Sequence, residues 1–168
     1  MVGSQDKRCA LDVNILLDLA EGQEFASEFL KVAQEKYCPL YVTPTAFIEL
    51  ELLVRDGIPQ RKKAATNAIA TFHKWGVSVF DLKPVQHGYT KEFAQRLIRK
   101  GYLSEEEYND GLILAEAGCF GIPVLVTSDH HLLDIPPSTV AAELKASDFW
   151  PTLVVRPQQI VRIASRYR

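Results

Sequence analysis

The chain has 168 residues, enough for one domain; two would each sit near the lower limit for a self-sufficient core. Its 47% hydrophobic content supports a packed interior, and a formal charge of −2 excludes an overall basic field that would advertise a nucleic-acid partner. Three cysteines with no C-x-x-C spacing argue against a thiolate metal centre or a disulfide framework. No apolar run reaches the roughly 20 residues that span a bilayer.

The first apolar run, residues 9–12, reads as a strand closing on Asp12, and a helix over 13–20 follows at once. A second helix is expected over 24–36 and a second strand over 40–42. The helix over 45–54 carries Glu49, whose neighbours three and four residues away are Ala46, Thr45, Leu52 and Leu53. Glu49 therefore lies on an apolar face and needs a partner, because a lone buried carboxylate is costly. Glu51 differs, since Arg55 four residues on offers it a surface ion pair. Pro59 suits the first position of a helix over 59–75. The strand over 77–82 has Asp81 near its end, and a helix is expected over 85–100.

Ser104 and Glu107 form a capping box for a helix over 104–120, which puts Asp110 two turns in, with Ile113, Leu114 and Ala117 on its face. Gly118, Gly121 and Pro123 stop that helix before a strand over 123–127, and Asp129 follows Thr127 and Ser128. A last strand over 152–155 and a helix over 156–165 complete the chain. Strands separated by helices predict an α/β fold: a parallel sheet of five strands with helices on both faces, and a ligand site beyond the carboxyl ends of the strands.

Each strand-end aspartate has a plainer reading as a helix cap. Four acids, Asp12, Glu49, Asp110 and Asp129, nevertheless have no lysine or arginine at a neutralising helical spacing. If they converge, repulsion raises their pKa values unless a cation intervenes, and an all-oxygen ligand set selects Mg²⁺ or Mn²⁺. That chemistry points to phosphate esters. Arg61-Lys62-Lys63, Lys91, Arg96, Arg99, Lys100, Arg162, Arg166 and Arg168 are candidate phosphate contacts, with an ordinary solvated helix face as the plainer reading. His130 and His131 read as a polar helix start.

Leu11-Asp12-Val13-Asn14-Ile15-Leu16-Leu17-Asp18-Leu19 resembles the opening of PIN domains. The 45–53 helix with Glu49 resembles their second acidic position. Asn109-Asp110-Gly111-Leu112-Ile113-Leu114-Ala115, a spacer and Ile122-Pro123-Val124-Leu125-Val126-Thr127-Ser128-Asp129 resemble their closing pair, and the likeness runs from about Arg8 to Ile163. The resemblance implies a single PIN-like nuclease domain over 1–168, with extra helix within 59–100. It implies a Mg²⁺- or Mn²⁺-dependent endoribonuclease whose metal-binding and catalytic residues are Asp12, Glu49, Asp110 and Asp129, with Asn14, Thr127 and Ser128 as polar support. Small members are often toxins of VapBC-type toxin–antitoxin pairs, dimeric and inhibited by an antitoxin partner. Gly111 stands where such domains usually have alanine, a change expected to matter little.

The segment MVGSQDKR has no apolar signal-peptide core, so the cytoplasm is the expected compartment, with no membrane contact, and the resemblance implies RNA as substrate. A non-catalytic PIN-like module binding RNA or protein is the alternative. A haloacid-dehalogenase-like phosphatase wants an aspartate where Asn14 stands. A receiver domain lacks its further acids and lysine here, and no G-x-G-x-x-G supports dinucleotide binding.

Overall fold

The structure, a computed structural model, describes residues 6–166. Five short strands form one parallel sheet: β1 (Cys9–Leu11), β2 (Leu40–Val42), β3 (Val77–Val79), β4 (Val124–Val126) and β5 (Leu153–Val155), in the order β3-β2-β1-β4-β5. Every residue of β1 is buried, as a central strand covered on both faces must be. The chain steps outward from β1 to β2 and β3, then returns to lay β4 on the other side of β1. The strand order therefore reverses between β1 and β4. A crevice opens at such a reversal, beyond the carboxyl ends of the two strands. Leu11 pairs with Val126, so Asp12 and Thr127 emerge side by side, and the Asp12 amide donates to the Val126 carbonyl at 3.0 Å.

Helices α1 (Val13–Ala20), α2 (Glu24–Glu35), α3 (Pro44–Asp56), α4 (Pro59–Trp75) and α5 (Pro84–Arg99) fall close to their expected places. Local chemistry explains the starts: Asp12 caps α1, and Thr43 caps α3 by accepting from the Ala46 amide at 3.3 Å. Prolines open α3, α4 and α5, where a missing N–H is harmless. After α2 the chain turns through Tyr37, at φ 52°, and the Cys38 amide returns to the Ala33 carbonyl at 2.8 Å.

Several expectations are corrected. The 104–120 helix is divided into a 3₁₀ turn, Glu105–Glu107, and α6 (Tyr108–Cys119), so Asp110 lies in the first turn of α6 rather than two turns deep. There the helix dipole favours a negative charge. Strand β3 ends at Val79, and Asp81 lies beyond it, exposed, with its Oδ1 accepting from the Leu82 amide at 2.8 Å and 2.9 Å from His87 Nε2. Arg55 pairs with Asp56 at 2.7 Å rather than with Glu51.

The polar helix start at His130 opens the short α7 (His130–Leu133), whereas α8 (Pro137–Ala146) was not expected; α9 (Pro157–Arg166) closes the described fold. Gly111 also has a clear packing role. A Cβ there would stand 3.1 Å from Ala94 Cβ and 3.2 Å from Ala94 Cα, so its absence lets α6 lie tightly on α5.

Candidate active site

Asp12 leaves β1 and caps α1 in one step, which fixes its carboxylate at the mouth of the crevice. Oδ1 accepts from the Val13 amide at 2.7 Å, and Oδ2 accepts from Thr127 Oγ1 at 2.7 Å and Asn14 Nδ2 at 3.5 Å. The Thr127 hydroxyl also accepts from the Asp129 amide at 3.0 Å and Asn14 Nδ2 at 3.4 Å. Asn14 Oδ1 accepts from the Ser128 amide at 3.3 Å. The β1 and β4 exits are thus laced together by Asn14, Thr127 and the Ser128 backbone. Asp129 caps α7, its Oδ1 accepting from the His131 amide at 2.9 Å.

The other two acids come from helices. Glu49 on α3 accepts from Asn109 Nδ2 on α6 at 2.7 Å. One turn earlier on α3 and two turns later on α6, the buried Glu116 accepts from Thr45 Oγ1 at 2.6 Å and the Thr45 amide at 3.1 Å. These two links lock α3 against α6 and aim Glu49 inward. Asn109 and Glu116 carry no local sequence signal of this role, because both partners lie far away in the chain.

All four acids line one cleft of about 550 Å³, together with Asn14, Asn109, Asp56 and Arg61. Burial first, then the charges of Glu49 and Asp129, lifts Asp12 to about 6 despite the hydrogen bonds to its charged form. Burial, followed by Asp12, Asp129, Glu49 and Glu107, lifts Asp110 to about 8. Glu49 is raised by burial and by Glu116, against the pull of Asn109. Among the described residues none of the four acids has an ion pair with lysine or arginine.

A cleft of carboxylates and amide oxygens in which Asp12, Glu49 and Asp110 resist ionisation suits a hard divalent cation, so the donor set fits Mg²⁺ or Mn²⁺. The four line the cleft without closing to the spacing of a single coordination shell. Among the described residues, the group whose ligand atoms all lie within 4.8 Å is Asp129, His130 and His131. His131 is engaged on both ring nitrogens, Nδ1 at 2.6 Å from Glu107 Oε1 and Nε2 at 3.8 Å from Asp129 Oδ1. The two histidines open α7, as a polar helix start should.

The basic candidates divide. Arg61 lines the cleft, and Lys62 and Lys63 beside it are exposed. Lys91 lines a neighbouring cleft that shares Glu49, Leu52 and Asn109 with the first. Arg96 and Lys100 instead hold the buried Glu143 of α8, at 2.9 and 2.6 Å, and Arg99 pairs with Glu92 at 2.7 Å. Arg162 and Arg166 are exposed on α9; Arg168 lies outside the described residues.

No family model and no curated protein matches the chain. Among solved structures, it is similar to a chain in the crystal structure of VapBC2 from Rickettsia felis bound to a DNA fragment from their promoter. The TM-score is 0.63 at 16% identity, covering 89% of this chain and 98% of that one. It is also similar to a chain in the structure of FitAB bound to an IR36 DNA fragment, with TM-score 0.51, 17% identity, and coverage of 89% and 94%. The likeness is one of fold: the chain has a PIN-like α/β architecture over most of its length. Among the described residues no helix is long and apolar enough to cross a membrane.

Proposed function

We propose that this chain is a metal-dependent endoribonuclease that hydrolyses RNA phosphodiester bonds, with residues 1–168 as one nuclease domain containing 59–100 as an insertion. The observation that carries the reading is the shared cleft of Asp12, Glu49, Asp110 and Asp129 at the reversal of strand order, free of any lysine or arginine ion pair among the described residues. Asp12, Asp110 and Asp129 would hold Mg²⁺ or Mn²⁺, whose charge when bound activates water and steadies the leaving oxygen of an in-line displacement at phosphorus.

The chain's own groups do the rest. Thr127 and Asn14 fix the Asp12 carboxylate through the hydrogen bonds that hold it. Glu49, raised by burial and steered by Asn109, takes the proton from the attacking water. Arg61, at the cleft, meets a substrate phosphate.

We further propose that the chain acts in the cytoplasm as the toxin of a toxin–antitoxin pair and as a homodimer. The structural neighbours, both DNA-bound assemblies by their descriptions, support that reading. So do Ile48, Leu52 and Ile58, 54%, 43% and 66% exposed around the cleft, which offer an inhibitory partner an apolar footing.

The test is cleavage of single-stranded RNA with Mn²⁺, with EDTA, and by Asp129→Asn. Cleavage that needs the cation and falls by orders of magnitude in the variant is expected. Undiminished cleavage in the variant would end the assignment. No cleavage, together with no thermal stabilisation by millimolar Mn²⁺, would favour a non-catalytic binding module.

A further inference from the structure

At the end of the sheet opposite the acidic cleft, two cysteines meet. Cys9 opens β1 and Cys38 stands just before β2; the strands pair in register there, with the Cys9 amide donating to the Pro39 carbonyl at 3.0 Å. The turn through Tyr37 swings Cys38 back against β1, and the two Sγ atoms lie 3.3 Å apart. Both thiols also reach the Lys7 carbonyl.

Cys9 is buried and Cys38 half-buried, and both line an apolar cleft of about 510 Å³ between α2 and α9 that also carries Lys7 and Lys36. A small oxidant entering the cleft therefore meets Cys38 as the more open thiol, with Cys9 in contact behind it. The interior thiol is set to resolve whatever forms on the outer one. Cys119, at the end of α6, has no thiol neighbour among the described residues.

We propose that Cys9 and Cys38 form a peroxide-reactive dithiol, an oxidative modification site separate from the acidic cleft. The Cys38 sulfur attacks one oxygen of hydrogen peroxide, the O–O bond breaks, and water leaves with the thiol proton, giving a sulfenic acid. The Cys9 sulfur then attacks Cys38 Sγ and expels the hydroxyl group as a second water, using the Cys9 proton. The sum is two thiols and one peroxide converted to a disulfide and two waters. The sulfur contact pulls the Cys38 thiol below its ordinary value and pushes Cys9 above it, and Lys7 adds to the first effect, which matches outer nucleophile and inner resolver. The bond would staple the entry of β1 to the entry of β2 and enclose the chain that carries α1 and α2.

The experiment treats the full chain with a modest excess of hydrogen peroxide, quenches in acid with denaturant, alkylates and maps peptides by mass. The three thiols should fall to one, Cys119, with a Cys9–Cys38 linked peptide that dithiothreitol reverses. In Cys9→Ser a dimedone adduct should collect on Cys38, and in Cys38→Ser both remaining thiols should stay reduced. Three alkylated thiols in the treated wild-type chain, or a linkage through Cys119 or between copies, would overturn the proposal. None of these readouts depends on nuclease activity.

Discussion

Replacing Asp12 by asparagine removes a charge from a carboxylate that is 4% exposed while keeping its shape. The fold lifts Asp12 from 3.8 to about 6, a difference worth on the order of 3 kcal/mol against the charged form. Between those values the folded chain binds more protons than the unfolded one. Stability without metal therefore falls as pH rises through that window, and Asp110, lifted to about 8, carries the fall further.

In the variant the part of the slope due to Asp12 disappears. Its remaining side-chain oxygen still accepts from Val13, but the new amide must donate to Thr127 Oγ1, which already accepts from Asn14 and the Asp129 amide. Displacing one of those donors costs about 1 kcal/mol. At about pH 8 in EDTA the variant should thus be the more stable protein by about 1–2 kcal/mol, at roughly 2–4 °C of midpoint per kcal/mol for this size. Millimolar Mn²⁺ should reverse the order, because only the wild type gains by mass action. Circular-dichroism melts at about pH 5 and about pH 8, with EDTA or Mn²⁺, decide the matter. A variant less stable than wild type in EDTA at the higher pH, and equally stabilised by Mn²⁺, would refute the reasoning.

Tyr37 sits at φ 52° with 90% of its surface exposed, so Tyr37→Gly removes left-handed strain while losing little contact. Strain relief of about 1–2 kcal/mol against about 0.5–1 kcal/mol of extra chain entropy predicts a net gain of about 0.5–1 kcal/mol in urea denaturation. Gly111→Ala drives a methyl to 3.1 Å from Ala94 Cβ. Overpacking of about 1–3 kcal/mol, less about 1 kcal/mol of better helix propensity, should leave a loss of about 1 kcal/mol in the same assay. Arg61→Ala, changed at the cleft wall, should weaken binding of single-stranded RNA and reduce the slope of log affinity against log salt by about 0.7, as read by fluorescence anisotropy.

The strand-end acids were legible because a buried parallel strand has no use for aspartate, so Asp12 and Asp129 stood out against their apolar runs. Glu49 was legible from its same-face neighbours. The devices that aim these acids were not. Asn109 meets Glu49, and Glu116 meets Thr45, across long stretches of chain, and no local pattern encodes such pairs.

Local reading also misled where two signals competed. Ser104 and Glu107 do begin a turn, with the Ser104 amide donating to Glu107 Oε2 at 2.9 Å, yet the turn is 3₁₀ and the α-helix starts only at Tyr108. No helix is expected between the strands over 123–127 and 152–155 beyond the start at His130, yet Pro137 opens α8, whose Val140, Glu143 and Leu144 form a buried stripe. Arg96 and Lys100 looked available to phosphate until α8 supplied Glu143 as their partner.

Asp12 and Asp129 each do two jobs, since the carboxylate that faces the cleft also holds the first turn of the helix it precedes. Turning either carboxylate toward a bound ion must loosen or reshape its grip on the Val13 or His131 amide. If a cation binds there, those two peptide protons should report it. Their exchange with deuterium would register an arriving cation even where nothing is cleaved, and would separate the filling of the cleft from the turnover of a substrate.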